Sequence, residues 1–240
     1  PTRRSSDLAD PAMNLVWTDW FRRQGWAVLE TNARDGKGVG QFSTVIRQAL
    51  KEKLEQWKAK GLVGRPVRAM VVGVPNVGKS TFINQVAKRK SAKAGNRPGV
   101  TRGKQWVSVD AGLELLDTPG ILWPKFEDET TGIHLAFTGA VKDEIMDLET
   151  LACHLIELLA RRYPQALAER YKLEADPGLP GWELLELCGK KRGFRISGGE
   201  VDTERMAKVL LDEYRSGKLG NLTFETPQDL ESREAAHGRD

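Results

Sequence analysis

Gly73-Val74-Pro75-Asn76-Val77-Gly78-Lys79-Ser80 spells G-x-x-x-x-G-K-[ST] directly after an apolar run, Val67 to Val72, that reads as a buried strand. Each position has a chemical reason. Glycines let backbone N–H groups close on phosphate oxygens, a lysine reaches the terminal phosphates, and a hydroxyl can coordinate Mg²⁺. Thr81 to Ala87 continues as a helix, so its N-terminal dipole also faces the anion. Asn76, Val77, Gly78, Lys79, Ser80 and Thr81 are therefore expected to cradle a nucleoside triphosphate.

Downstream, Gln105 to Val109 and Leu113 to Leu116 read as a hairpin around Asp110-Ala111-Gly112, whose second strand delivers Asp117-Thr118-Pro119-Gly120. An Asp at a strand end suits a water-mediated Mg²⁺ ligand, and the Gly120 N–H can reach a γ-phosphate. Between the two motifs, Arg97-Pro98-Gly99-Val100-Thr101 forms a loop whose threonine can complete the Mg²⁺ shell. Taken singly, Thr101 reads as an ordinary loop threonine. In this order and spacing the set resembles the G domain of translation-factor-type GTPases.

Guanine selection needs an Asp on the base edge, usually within N-K-x-D, and a short loop beneath the base. Neither follows Asp117. Both read as coming first: Arg4-Ser5-Ser6-Asp7-Leu8 stands where N-K-x-D-L would, and a strand from Ala27 to Glu30 leads into Thr31-Asn32-Ala33. Asp7, Asn32 and Ala33 are the expected base contacts. The order base, base, phosphate, switch, switch is a circular permutation, tolerable because domain termini usually lie near each other at the surface.

That order, with the run Asp117-Thr118-Pro119-Gly120-Ile121-Leu122-Trp123-Pro124-Lys125-Phe126-Glu127-Asp128, resembles the YlqF/YawG family of circularly permuted GTPases over about residues 1–225. The resemblance implies a GTP-hydrolysing assembly factor for the large ribosomal subunit with a C-terminal helical RNA-binding domain. It implies GTP/GDP and Mg²⁺ as cofactors, a large-subunit precursor with its rRNA as partner, a monomeric state and a cytoplasmic setting without membrane or DNA. The chain departs from the family where Arg4 and Ser5 replace Asn and Lys. It opens at Pro1 beside that motif, so the first strand and helix of the G domain are expected to be missing. The position that often holds a water-orienting glutamine is Ile121. The resemblance places a substitute histidine upstream of the base motif.

The loop G-x-P-N-V-G-K-S also resembles those of potassium-activated GTPases. That likeness implies that the Asn76 oxygen ligates K⁺ beside the phosphates, the alternative being that Asn76 only stabilises the loop. The catalytic set expected from all of this is Lys79, Asn76, Thr101 and Gly120. The expected metal ligands are Ser80, Thr101 and Asp117 for Mg²⁺ and Asn76 for K⁺.

The 240 residues hold a G domain and one small further domain. With 40% hydrophobic and 29% charged residues, the composition is that of a globular protein, and no stretch approaches the roughly 20 apolar residues of a membrane span. Cys153 and Cys188 are too few for a disulfide framework or a cysteine-rich zinc site. Net charge is only +4, so nucleic-acid affinity has to come from local patches.

The fold expected is α/β: a circularly permuted P-loop GTPase domain over 1–143, with a mostly parallel sheet covered by helices on both faces. A small all-helical domain over 144–225 and a disordered polar tail over 226–240 follow. A helix from Asp10 or Pro11 to Gln24 should turn Leu15, Trp17 and Phe21 inward, and Val39 to Lys60 should form one long helix. Leu148, Leu151, Ala152, Leu155, Leu158 and Leu159 repeat as a packing face, and Asp202 should cap a helix over Thr203 to Ser216. Arg161 and Arg162 fit either a helix-dipole role or RNA contact. Lys190-Lys191-Arg192-Gly193-Phe194-Arg195 reads as a basic turn around an aromatic, and His134 as a structural histidine rather than a water-positioning one.

Two readings of function stay open: a GTPase switch that docks on immature large-subunit RNA, and an RNA-binding module with a degenerate nucleotide site that does not hydrolyse GTP. A tRNA-modification or metal-transport G domain fits the permuted order less well.

Overall fold

The computed structural model describes residues 9–88, 105–110, 112–118, 128–141 and 147–237. Asp7, Thr101 and Gly120, with the loop Arg97 to Thr101, lie outside the described residues. The chain divides into two compact units, Thr18–Leu122 and a second assembled from Pro1–Trp17 and Trp123–Asp240.

In the first unit, β1 (Val67–Val71), β2 (Gln105–Asp110) and β3 (Leu113–Asp117) make a sheet of order β1-β3-β2. β1 runs parallel to β3, whereas β2 and β3 form the expected antiparallel hairpin, so the sheet is mixed rather than mostly parallel. Side chains alternate across a strand. Val67, Leu113 and Leu115 therefore share one face, which packs on Ile83 and Val86 of α4 (Lys79–Lys88) and on Val39. The opposite face carries Arg68 paired with Glu114 at 2.8 Å, with Met70 of β1 and Trp106 of β2 exposed beside them. Helices on both faces were expected, yet among the described residues only one face is covered. Arg68 and Glu114 stand opposite each other in the β1–β3 register on the face away from that core.

The expected long helix is broken. After a short 3-10 turn, Val39–Gln41, come α2 (Phe42–Ala49) and α3 (Lys51–Ala59), with Leu50 at φ −102° and ψ 13° between them. The bend brings Leu50, Leu54 and Trp57 against the same core as Phe42 and Ile46. Ala27 to Glu30 joins no strand among the described residues and is held instead by a bond from Thr18 to Glu30 and, just beyond it, a bridge between Asn32 and Lys37. In α1 (Pro11–Arg23) only Thr18 is buried, while Leu15 is 63% exposed. Leu15 and Trp17 are two residues apart and so point to different sides of the helix, which rules out the inward stripe.

The second unit is helical: α5 (Glu129–Phe137), α6 (Leu148–Arg162), α7 (Pro164–Tyr171), α8 (Gly181–Arg192), α9 (Thr203–Arg215) and α10 (Pro227–His237). Leu151, Ala152, Leu155 and Leu159 of α6 and Met206, Leu210 and Tyr214 of α9 are buried in its core, as their spacing predicts. Asp202 accepts the Arg205 N–H, capping α9. The boundary expected after residue 143 is displaced, because Ala136 and Phe137 of α5 are buried in the helical core. At the end of α5, Arg215 donates to the Phe137 and Ala136 carbonyls, satisfying acceptors that a helix leaves open.

From Pro227 to His237 the tail is a helix rather than a disordered segment. Arg162 donates to Phe224 and pairs with Asp229, and Arg233 bridges Asp128 and Glu225. Arg162 thus has tertiary partners that neither the helix-dipole reading nor the RNA reading names. His134 sits 3.2 Å from Glu225, between the Phe137 and Phe224 rings, which matches a structural role.

Candidate nucleotide site

β1 ends at Val71 and the phosphate-loop residues begin two positions later, so the strand aims the loop and α4 receives it. Gly78 has φ 100°, a conformation that suits glycine far better than any residue with a Cβ. Asn76 also lies in the left-handed region, at φ 62°, where asparagine is tolerated better than most residues. The loop sequence thus has a conformational reason at both positions, independent of any ligand.

The Lys79 ammonium donates to the Gly73 and Val74 carbonyls, each at 2.8 Å, which holds it at the mouth of the loop. Burial lowers the Lys79 pKa from its ordinary value, and the nearby Asp117 charge pulls it back up. Asp117 comes to this place through register. In the parallel pair it stands opposite Val71, so the last residue of β3 lies beside the strand that feeds the loop. Asp117 is only 8% exposed. The Thr118 hydroxyl donates to the Val71 carbonyl at 2.6 Å and tacks the exit of β3 to the end of β1. The Asp117-Thr118-Pro119-Gly120 motif alone assigns Thr118 no role, and the signal for this one is a hydroxyl directly after a strand end.

A second anchor fixes the hairpin. A register shift between Ser108 and Asp110 bulges β2, and Asp110 accepts from Arg47 of α2 at 2.8 Å. Bulges of this kind bend and terminate pairing.

In the predicted base loop, Asn32 works on its own backbone. Its side-chain oxygen accepts the Arg34 and Asp35 N–H groups, its amide donates to Asp35, and its carbonyl accepts from Gly36 at 2.8 Å. A Cβ at Gly38 would stand 2.1 Å from the Glu30 carbonyl oxygen, so this turn closes only with glycine there. Ala33 sits inside the turn. Of the expected site residues, the structure therefore brings together Asn76 to Thr81 with Asp117 and places Asn32 and Ala33 in a preformed turn of the same unit. Asp7, Thr101 and Gly120 fall outside the described residues.

The predicted basic turn is changed most. Lys190, Lys191 and Arg192 are the last turn of α8, closed by Gly193 at φ 68°. Lys190 pairs with Glu186 at 2.7 Å. Arg192 lies over the Tyr171 ring and pairs with Glu213, and the guanidinium over Phe194 belongs to Arg205, 4.3 Å from the ring centroid. Cations at a helix C-terminus complement its dipole, which is the physical reason for the arrangement. Lys191 and Arg195 are the members left exposed without an ion pair among the described residues.

Residues 68–175 match the MMR_HSR1 family, 50S ribosome-binding GTPase. In the solved structure of GNP-bound YlqF from T. maritima, 28% identical, 94% of this chain superposes on 80% of that one at a TM-score of 0.58. A GDP-bound TM YlqF structure gives 0.63, with 94% and 82% covered at 28% identity. Ribosome biogenesis GTPase A of Bacillus cereus is 44% identical over 94% of this chain and 76% of its own length. That of Priestia megaterium is 46% identical over 94% and 78%. A phosphate loop joined in register to a buried strand-end aspartate, in a sequence this similar to them, makes the chain a member of the ribosome biogenesis GTPase A family.

Proposed function

We propose that the chain is a GTP-hydrolysing assembly factor for the large ribosomal subunit that binds rRNA according to its nucleotide state, in the cytoplasm. The observation that carries the reading is the parallel register that sets Asp117 beside the loop held by Lys79. Lys79 would carry the charge-assisted contacts to the β- and γ-phosphates. Ser80 and Asp117 are hard oxygen donors of the kind Mg²⁺ takes, with Thr101 as the further ligand, and the ion would neutralise charge on the phosphates. Asp7, Asn32 and Ala33 would select guanine, Asn32 by holding the turn through its amide. Gly120 would sense the γ-phosphate.

The test is a competition between GTP and ATP for the chain, followed by binding to large-subunit precursor with a non-hydrolysable GTP analogue or GDP. Preference for GTP and tighter precursor binding in one nucleotide state are expected. Equal affinity for ATP and GTP would transfer support to the RNA-binding module with a degenerate site.

K⁺ activation is the finer part of the proposal. The left-handed Asn76 explains the residue without an ion, so the decisive variant is Asn76→Gly, which keeps the backbone conformation and removes the oxygen. Hydrolysis is expected to run faster in KCl than in NaCl at equal ionic strength. Asn76→Gly should erase the difference while still binding GTP. A variant that keeps the K⁺ preference would return Asn76 to a conformational role.

A further inference from the structure

The helical unit contains a cleft of about 630 Å³ between α6, α8 and the segment joining α8 to α9. Glu149 and Glu157 of α6, Glu186 of α8 and Glu200 of the joining segment line it, with no lysine or arginine among its lining residues. Its apolar part is Leu185 with Val201, and beside them stands Trp182, an indole 61% exposed. An exposed indole, an apolar floor and carboxylates around them are three separate features, and one side chain satisfies all of them. Arginine stacks its planar cation on an aromatic face, lays its methylene stem on apolar surface and takes carboxylates bidentately.

The walls are fixed before any partner arrives. A Cβ on Gly181 would lie 2.5 Å from the Cys153 carbonyl oxygen, so α8 starts hard against α6 only because the residue is glycine. The Gly181 N–H donates to Glu157 at 2.7 Å. A Cβ on Gly189 would meet Val201 at 2.4 Å, which brings the joining segment equally close. Glu157 and Glu186 have partners on their own helices, Arg161 and Lys190. Glu149 and Glu200 have no ion pair among the described residues, and both line the cleft together with His154. The Cys153 thiol, on the wall, has its pKa raised by burial and then by the charges of Glu157, Glu149 and Asp147.

We propose that this cleft docks an arginine-rich protein segment, the class of chain that neutralises RNA in a ribosomal particle, and that it is the face of the helical unit that turns away from RNA. Phosphates are repelled by the same carboxylates that attract guanidinium groups. The particle as the source of the segment rests on the function proposed above, whereas the binding chemistry does not.

The experiment titrates fluorescein-labelled octa-arginine with the whole chain, without nucleotide, and reads anisotropy. Octa-lysine and an oligouridine serve as the alternative probes. Octa-arginine is expected to bind several-fold tighter than octa-lysine. Glu149→Gln with Glu200→Gln should weaken it by about tenfold, the two lost charge contacts setting the scale. Trp182→Ala should weaken it by about fivefold and remove the preference for arginine over lysine. Circular dichroism checks that each variant is folded. Unchanged octa-arginine binding in both variants overturns the proposal, as does weaker oligouridine binding in the Gln variant. A chain that binds octa-arginine but not GTP refutes the proposed function and leaves the cleft standing; the reverse result does the opposite.

Discussion

Lys79→Ala is expected to weaken GTP binding by at least about a hundredfold, since two charge-assisted hydrogen bonds of roughly 1.5–3 kcal/mol each disappear. The fold should survive. The Gly73 and Val74 carbonyls that accept from the ammonium face the surface, and water can take its place. Titration with a fluorescent GTP analogue, beside a circular dichroism spectrum, separates the two effects. A loss below threefold with an intact spectrum would mean that the lysine is not at the phosphates and that the register argument for the site is wrong.

Glu213→Gln should have the largest effect on stability. Glu213 is 6% exposed and accepts from Arg170, Tyr171 and Arg192, tying α7 and α8 to α9. Burial would raise its pKa, but the hydrogen bonds from Arg170 and Tyr171 and the two guanidinium charges outweigh it and bring the carboxyl down to about 2. Neutralising it leaves two guanidinium groups around an amide. Breaking a buried pair costs roughly 3–5 kcal/mol, and the part-exposed arginines reduce this to about 2–3 kcal/mol. Melting of the helical unit should fall by about 10 °C. The pH dependence has a definite sign. A carboxylate depressed by folding stabilises above its unfolded pKa of about 4.3 and loses that contribution as the pH falls toward 2. The gap in melting temperature between wild type and variant should therefore be full at neutral pH and narrow between about pH 5 and pH 2. A constant gap, or none, would contradict the ion network.

Much of the nucleotide site was legible because its signals are local. Gly78 and Asn76 report backbone conformation, and the strands around Gly112 follow from alternation, so the hairpin was placed within a residue of its true ends. α9 was legible for the same reason, with a capping aspartate and an apolar face. The errors came where a distant partner decides. Arg192 and Glu213 look like solvated charges in sequence, and only the packing of α8 against α9 shows them paired. The tail from Pro227 reads as too polar to fold alone, and it is helical through ion pairs with Arg162 and Asp128. The break at Leu50 left no proline or glycine to announce it.

The bonds from Asp10 to Thr223, Trp17 to Glu225 and Asn221 to Ala9 bear on how the protein is made. They join positions up to 213 residues apart, within a unit that the segment Thr18–Leu122 interrupts. On a translating ribosome, at about 5–20 residues per second, the first of these residues emerge roughly 10–40 s before their partners. The interrupting segment draws its core from itself and can condense during that interval. The contacts of Ala9, Asp10 and Trp17 cannot form until Asn221 to Glu225 have emerged, so the helical unit closes after the segment it encloses has had time to fold.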